Sequence, residues 1–366
     1  MHIGYRLKNI HVLPILVMMI IASLSVFTLF SAANAHFSPW ASKQAMRFCI
    51  SLILLISVAL VDIRTWYTLS YPFYVLAFLF LIGVEVMGFV GMGAKRWLDL
   101  YIFTLQPSEL MKIALILALA RYFHDCPPSL ILKNRTLLIP IMLILAPSLL
   151  VMRQPDLGTA MLLIFAGTST LFLAGVQLWK FICVGGAVIG ASPLLWHFLH
   201  DYQKNRILVF LNPEMDPSHT GYHVMQSKIA LGSGGFWGKG FMEGSQGHLN
   251  FLPEKQTDFI FTMFCEEFGM AGALFLLSLY TILIVFFFNV ALKSRSSFGR
   301  LLALSLTMLF FFYIFINISM VMGLVPVVGV PLPLMSYGGT SMITVMFSFG
   351  LIFSTSLYRD VRLGST

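Results

Sequence analysis

Ten stretches of mostly apolar residues divide this chain, and they decide its solvent before any motif is considered. A helix that crosses a bilayer needs about 20 predominantly apolar residues. Candidate spans run near 12–32, 45–62, 69–90, 108–123, 136–152, 157–175, 178–198, 259–288, 301–322 and 337–358. Pro140 and Pro147 interrupt the fifth. Only 10% of the 366 residues are charged and the mean hydropathy is +0.87, whereas a soluble domain carries about 25% charged residues. Too little polar surface is left to wrap a water-soluble globule. The expected fold is an all-α polytopic membrane protein of about ten transmembrane helices. It forms one membrane domain over 1–366, with one large outer loop at about 199–258 between helices 7 and 8.

The net charge is +8. In a soluble protein that excess would suggest nucleic acid, but here the basic residues lie mainly between apolar spans. They act first as topology signals and second as attraction for anionic lipids, so nucleic acid is not an expected partner. With the N-terminus inside, Arg6, Lys8, Arg64, Arg121, Lys133, Arg135, Lys180, Lys293, Arg295, Arg300, Arg359 and Arg362 make twelve inner positive charges. Lys43, Arg47, Lys95, Arg96, Lys112 and Arg153 make six outer ones. The five in the long loop are discounted, because long loops translocate regardless of charge. Both termini are therefore expected in the cytoplasm and the loop outside. Arg6 and Lys8 before the first span, and Ala33-Asn34-Ala35 after it, resemble a cleavable signal. The apolar stretch from Leu13 to Phe30 is longer than an h-region of about 7–15 residues, so this span is expected to stay. Cys49, Cys126, Cys183 and Cys265 are scattered and read as small core residues, not as a disulfide framework.

Ionisable groups at membrane depth cost at least about 2.5–3.5 kcal/mol each, which makes the few present informative. Gln106-Pro107-Ser108-Glu109-Leu110-Met111-Lys112 opens the fourth span. It reads either as a helix entry with Ser108 as N-cap and an i,i+3 pair, or as a charged pair facing the bundle interior. Arg153-Gln154-Pro155-Asp156 links two spans, and a turn capped by Asp156 explains it without chemistry. Glu254-Lys255-Gln256-Thr257-Asp258 closes the outer loop. There Asp258 is either an N-cap or a carboxylate at the membrane's outer edge, where low dielectric raises its pKa. The glycine-dense run Gly232-Ser233-Gly234-Gly235-Phe236-Trp237-Gly238-Lys239-Gly240 lies within the loop. Residues 323–341 are rich in proline and glycine yet apolar, a pattern tolerated at depth only when buried in protein or lining a cavity, so a re-entrant or broken segment is expected. No Walker loop and no His-Glu-x-x-His motif is present. His219 and His223 share i,i+4 spacing but fall in a loop, which argues against a metal site.

Taken in order and spacing, these motifs resemble the SEDS family (shape, elongation, division and sporulation). The likeness runs from Gly93-Ala94-Lys95-Arg96-Trp97-Leu98-Asp99 to Tyr337-Gly338-Gly339. Gly221-Tyr222-His223-Val224-Met225-Gln226-Ser227-Lys228 and Val327-Val328-Gly329-Val330-Pro331-Leu332-Pro333 are closer to its elongation branch, RodA, than to its division branch, FtsW. Thr340 stands where serine is usual, and Gln256 where histidine is common.

The resemblance implies a peptidoglycan glycosyltransferase of the bacterial inner membrane, active at the periplasmic face, that joins lipid II into β-1,4 glycan strands with inversion. A lipid II flippase is the competing reading. The family's essential aspartate corresponds to Asp258, the expected general base, and its cavity pair to Glu109 and Lys112. Lys112, Arg153, Lys228 and Lys239 are candidates to neutralise the departing pyrophosphate. The wider set expected to touch substrate adds Ser108, Gln154, Asp156, Gln226, Gln246, Glu254, Thr257, Ser336 and Tyr337. The sequence singles out no resident cofactor, and a divalent cation, magnesium or manganese, could share the leaving-group role. Expected partners are lipid II, membrane lipids, a class B penicillin-binding transpeptidase, and the elongation proteins MreB, MreC and MreD.

Overall fold

The computed structural model describes residues 11–91, 94–99, 104–131, 133–198, 201–212, 220–245 and 254–364. Every expected span is helical. The helices are α1 (Val12–Ala32), α2 (Trp40–Leu60), α3 (Ile63–Met87), α4 (Pro107–Asp125), α5 (Leu138–Arg153), α6 (Leu157–Leu173) and α7 (Leu178–Gly190). The outer loop contributes α8 (Asp201–Leu211) and α9 (Thr220–Ser233), and the chain ends with α10 (Ile260–Lys293), α11 (Ser297–Val321) and α12 (Gly339–Leu357). Among the described residues, seven helical stretches are long and apolar enough to cross a membrane, while α6 and α7 are shorter. The charged residues Glu109, Lys112, Arg121 and Asp125 lower the apolarity of α4. This is a multi-pass membrane protein.

Burial divides the helices. From Ile113 to Ala120 every side chain of α4 is fully enclosed, so α4 runs through the centre, packed against α3, α6 and α11. The outer helices instead present apolar side chains outward, such as Leu79 on α3 and Phe275 on α10, and lipid is the solvent that accepts them. The first span is built into this bundle: Ser25 on α1 donates to the Met335 carbonyl at 2.6 Å. Close approach between helices relies on missing side chains. A Cβ on Gly350 of α12 would lie 2.7 Å from the Val58 Cβ on α2. Pro147 lies inside α5, and Pro140 sits in its first turn, where the missing N–H breaks no helical bond.

Two features depart from a plain bundle. Among the described residues, Phe89–Gly91, Ala94–Asp99 and Thr104–Leu105 form a small antiparallel sheet, pairing Phe89 with Trp97 and Leu98 with Leu105. Span-counting treated that stretch as a connection. The second feature is a break in α10 at Gly269 (φ 64°, ψ −164°). The glycine run inserts there: Lys239 and Gly240 N–H groups donate to the Glu266 and Glu267 carbonyls at 3.0 and 3.1 Å. Met270 and Ala271 in turn donate to Gly235 and Phe236, both at 3.0 Å. The broken helix thus has its orphaned backbone groups satisfied by the loop. Gly238 sits at φ 84°, and a Cβ there would lie 2.1 Å from the Glu267 carbonyl oxygen. Gly238→Ala is therefore expected to cost at least about 1–3 kcal/mol from backbone strain alone. Thermal unfolding in detergent reads this out, and an unchanged midpoint would mean that the strap does not hold the helix.

Candidate active site

Three turns and the re-entrant segment converge at one end of the bundle. The first turn is the entry to α4. Its N-cap is Gln106 with Pro107 at the first helical position, so Ser108 is buried inside the helix and is not the cap. The Gln106 side chain makes no capping bond of its own, and its amide donates instead to Asp156 at 3.2 Å. The second turn carries Asp156, which does cap α6, accepting from the Thr159 N–H at 3.2 Å and its hydroxyl at 2.9 Å. Arg96 joins it, its Nε 3.8 Å from Asp156 and its guanidinium donating to the Pro155 carbonyl.

The third turn, residues 254–258, carries Asp258. The N-cap of α10 is Phe259, with no side-chain cap, so the capping reading of Asp258 fails and its carboxylate is free for other work. Glu254 at φ 55° closes the turn, accepting from the Thr257 hydroxyl at 2.9 Å. The turn is strapped to the re-entrant segment by its own backbone. Ser336 Oγ donates to the Thr257 carbonyl at 2.6 Å, and the Tyr337 N–H to the Gln256 carbonyl at 2.8 Å. Arg47 stacks on the Tyr337 ring, 4.6 Å from its centroid.

Residues 322–338 have the irregular backbone expected of them, with Val328, Val330, Leu332, Leu334 and Met335 buried. They bring the two acidic turns together. A Cβ on Gly158, two residues past Asp156, would meet the Val328 carbonyl oxygen at 2.3 Å, and one on Gly329 would lie 3.4 Å from Asp258 Oδ2. Burial pushes the Asp258 carboxyl from 3.8 up to about 6, with Glu254 and Asp156 adding and Arg206 and Arg96 opposing. Those four residues set its field; the Glu109–Lys112 pair does not figure among them.

That pair is real but lies deeper. Lys112 Nζ is 2.5 Å from Glu109 Oε1 and has no exposed surface. Tyr313 on α11 closes a triangle: Lys112 donates to its hydroxyl, which donates to Glu109 Oε2 at 2.9 Å. One helical turn along the same face of α11, Asn317 donates to the carbonyls of Asp258 at 3.0 Å and Val330 at 2.7 Å.

The remaining candidates separate by their contacts. Lys239 is committed to Glu266 at 2.7 Å and to Ser245 at 2.8 Å. The buried Gln154 amide donates to the Leu81 carbonyl at 3.1 Å, a tie between helices. Arg153 is exposed, Gln226 is half-buried, and Gln246 lies outside the described residues. Lys228 lies over Gly323 and, with Arg206, lines a cleft floored by Val209, Val224, Val325 and Pro326. Tyr313, Asn317, Arg96 and Arg206 are the residues that sequence reasoning did not assign to the site. Among the described residues, no group of three or more His, Cys, Asp or Glu is placed to hold a metal ion.

A helical membrane bundle with a carboxylate-bearing turn clamped by a broken apolar segment, beside a cationic cleft, is the class that fold and site define. The chain belongs to the FtsW/RodA/SpoVE family of cell cycle proteins, whose model matches residues 6–360. It is 42% identical to the peptidoglycan glycosyltransferase MrdB of Escherichia coli K12 over 359 residues, covering 96% of this chain and 95% of that one. To the Helicobacter pylori (strain 26695) MrdB it is 38% identical, with coverages of 87% and 84%. Among solved structures it matches a chain of a peptidoglycan synthase complex that coordinates polymerization and crosslinking, at TM-score 0.82 and 29% identity, covering 95% of this chain and 97% of that one. It also matches the Thermus thermophilus rod shape determining protein RodA at TM-score 0.70 and 26% identity, with coverages of 94% and 96%.

Proposed function

We propose that this chain is a peptidoglycan glycosyltransferase that polymerises lipid II for cell elongation, with Asp258 as general base. The observation that carries the reading is the Asp258 carboxylate. It is spent on no helix cap, its turn is pinned to the re-entrant segment through the Gln256 and Thr257 carbonyls, and burial raises it to about 6. A base of that strength is mostly ionised at neutral pH and still takes a proton readily. In the reaction, Asp258 accepts the proton of the acceptor sugar's 4-hydroxyl. The oxygen attacks the donor's anomeric carbon from the face opposite the pyrophosphate, and that C–O bond breaks. The products are the β-1,4-linked glycan and the lipid pyrophosphate.

Cations must meet the departing pyrophosphate. Lys112 and Lys239 are occupied by Glu109 and Glu266, which favours Lys228, exposed at the mouth of the cleft that Arg206 also lines. The site faces the periplasm in this reading, with both termini in the cytoplasm, as the basic residues between spans favour. The crosslinking partner is a class B penicillin-binding protein, a reading supported by the synthase-complex relative, and MreB, MreC and MreD complete the machinery.

The test is reconstitution in detergent, where no membrane sides exist. The purified chain with its partner transpeptidase is expected to convert lipid II into glycan chains visible on gels. A protein that only moves lipid II across the bilayer makes none there, and that outcome would replace the polymerase reading with transport.

A further inference from the structure

We infer that Asn317 is a positioning residue for the transfer reaction: its amide locks the turn bearing Asp258 onto the re-entrant segment. The inference rests on the glycosyltransferase reading of the Asp258 site. Asn317 is fully enclosed on α11 with its Oδ1 unpartnered, so the two bonds from its amide nitrogen are what hold it there. Both partners are carbonyls outside regular structure, Asp258 at 3.0 Å and Val330 at 2.7 Å, and they belong to two different segments. The opposite amide orientation would set its oxygen against both carbonyls, so the two bonds also fix which way the side chain points.

What these bonds hold is the geometry of the base. Val330 follows Gly329, the residue beside which the Asp258 carboxylate lies, and Val328 packs on Gly158 behind Asp156. One amide therefore ties the Asp258 turn to the strand of backbone that also supports the second acidic turn. The carboxylate faces Glu254 from its own turn, Arg206 from α8, Arg96 from the small sheet and Asp156 from the α5–α6 turn. Its exposure to water depends on that turn staying closed. Asn317 touches no reacting atom and acts through the position of Asp258.

Full-length Asn317→Leu and Asn317→Asp chains, purified with the crosslinking partner and assayed on lipid II across a pH series, test this. The first keeps the branching and removes both donated bonds; the second keeps the shape and puts an acceptor where the donor was. For each, kcat is expected to fall about 10–100-fold while KM for lipid II changes less than about 3-fold. In Asn317→Leu, which adds no charge, the acid limb of the rate profile is expected to move to lower pH, because a loosened turn lets water reach Asp258. Asn317→His, which returns one N–H donor, is expected to recover part of kcat. Folded variants with wild-type kcat and limb would overturn the inference. So would a rate loss that vanishes once activity is divided by the folded fraction, since that is mere packing. A wild-type complex that makes no glycan overturns the glycosyltransferase reading itself, and is recognisable because it fails before any variant is compared.

Discussion

An Asp258→Asn chain is expected to fold, insert and hold its partner normally, and to polymerise lipid II about 10²–10⁴-fold more slowly than wild type, the usual contribution of a general base. Asparagine preserves the shape and the backbone bonds from Ser336, Tyr337 and Asn317, all of which reach carbonyls and not the carboxylate. Only the proton acceptor is lost. Stability gives the control. The folded chain binds the Asp258 proton more tightly than the unfolded one, because burial lifts the carboxyl from 3.8 to about 6. Ionising it therefore subtracts from stability as pH rises through that window. The Asp258→Asn midpoint at neutral pH should match or exceed that of wild type. Near-normal glycan synthesis by this variant would remove Asp258 from the mechanism; a lowered midpoint would make its role structural.

The same carboxyl fixes the pH dependence of the wild type. Below about 6 it is protonated and cannot accept the sugar's proton, so the rate should climb as pH rises through that value and level off above it. A limb in the ordinary carboxylate range would mean that the turn is open to water during turnover.

The spans were legible because a bilayer leaves the backbone little choice: about 20 apolar residues in a row must be helical there. The re-entrant segment was legible for the converse reason, since proline and glycine among apolar residues fit neither a span nor a water-exposed loop. Roles within the site were less so. Ser108 and Asp258 both looked like caps, and each is displaced, by Gln106 two residues earlier and by Phe259 one residue later. One residue of register separates a cap from a base, and local sequence does not resolve that. Lys239 looked like a free cation because its partner, Glu266, lies 27 residues away across a broken helix. Tyr313 and Asn317 were hidden inside an apolar span. Their signal was a lone amide at membrane depth with a tyrosine one turn before it on the same face.

Those two side chains make α11 a spine, with Asn317 gripping the Asp258 turn and Tyr313 closing the buried pair below it, and the pair yields the largest expected change in stability. Lys112→Met removes the cation while leaving Glu109 enclosed with one hydroxyl donor, Tyr313 at 2.9 Å. Breaking a buried ion pair on one side costs about 3–5 kcal/mol, more than the pair itself contributes, because an uncompensated charge remains. Adding Glu109→Gln neutralises that charge, so the double variant should recover much of the loss. The cycle of Glu109→Gln, Lys112→Met and both together, followed by thermal unfolding in detergent, should therefore be strongly non-additive. The ammonium also lies over the Tyr313 ring, 4.6 Å from its centroid, so a residual cost should persist in the double variant. Additive losses would mean that water reaches Glu109 and screens it, and the triangle would then be part of an open cavity and not a dry clasp at the centre of the bundle.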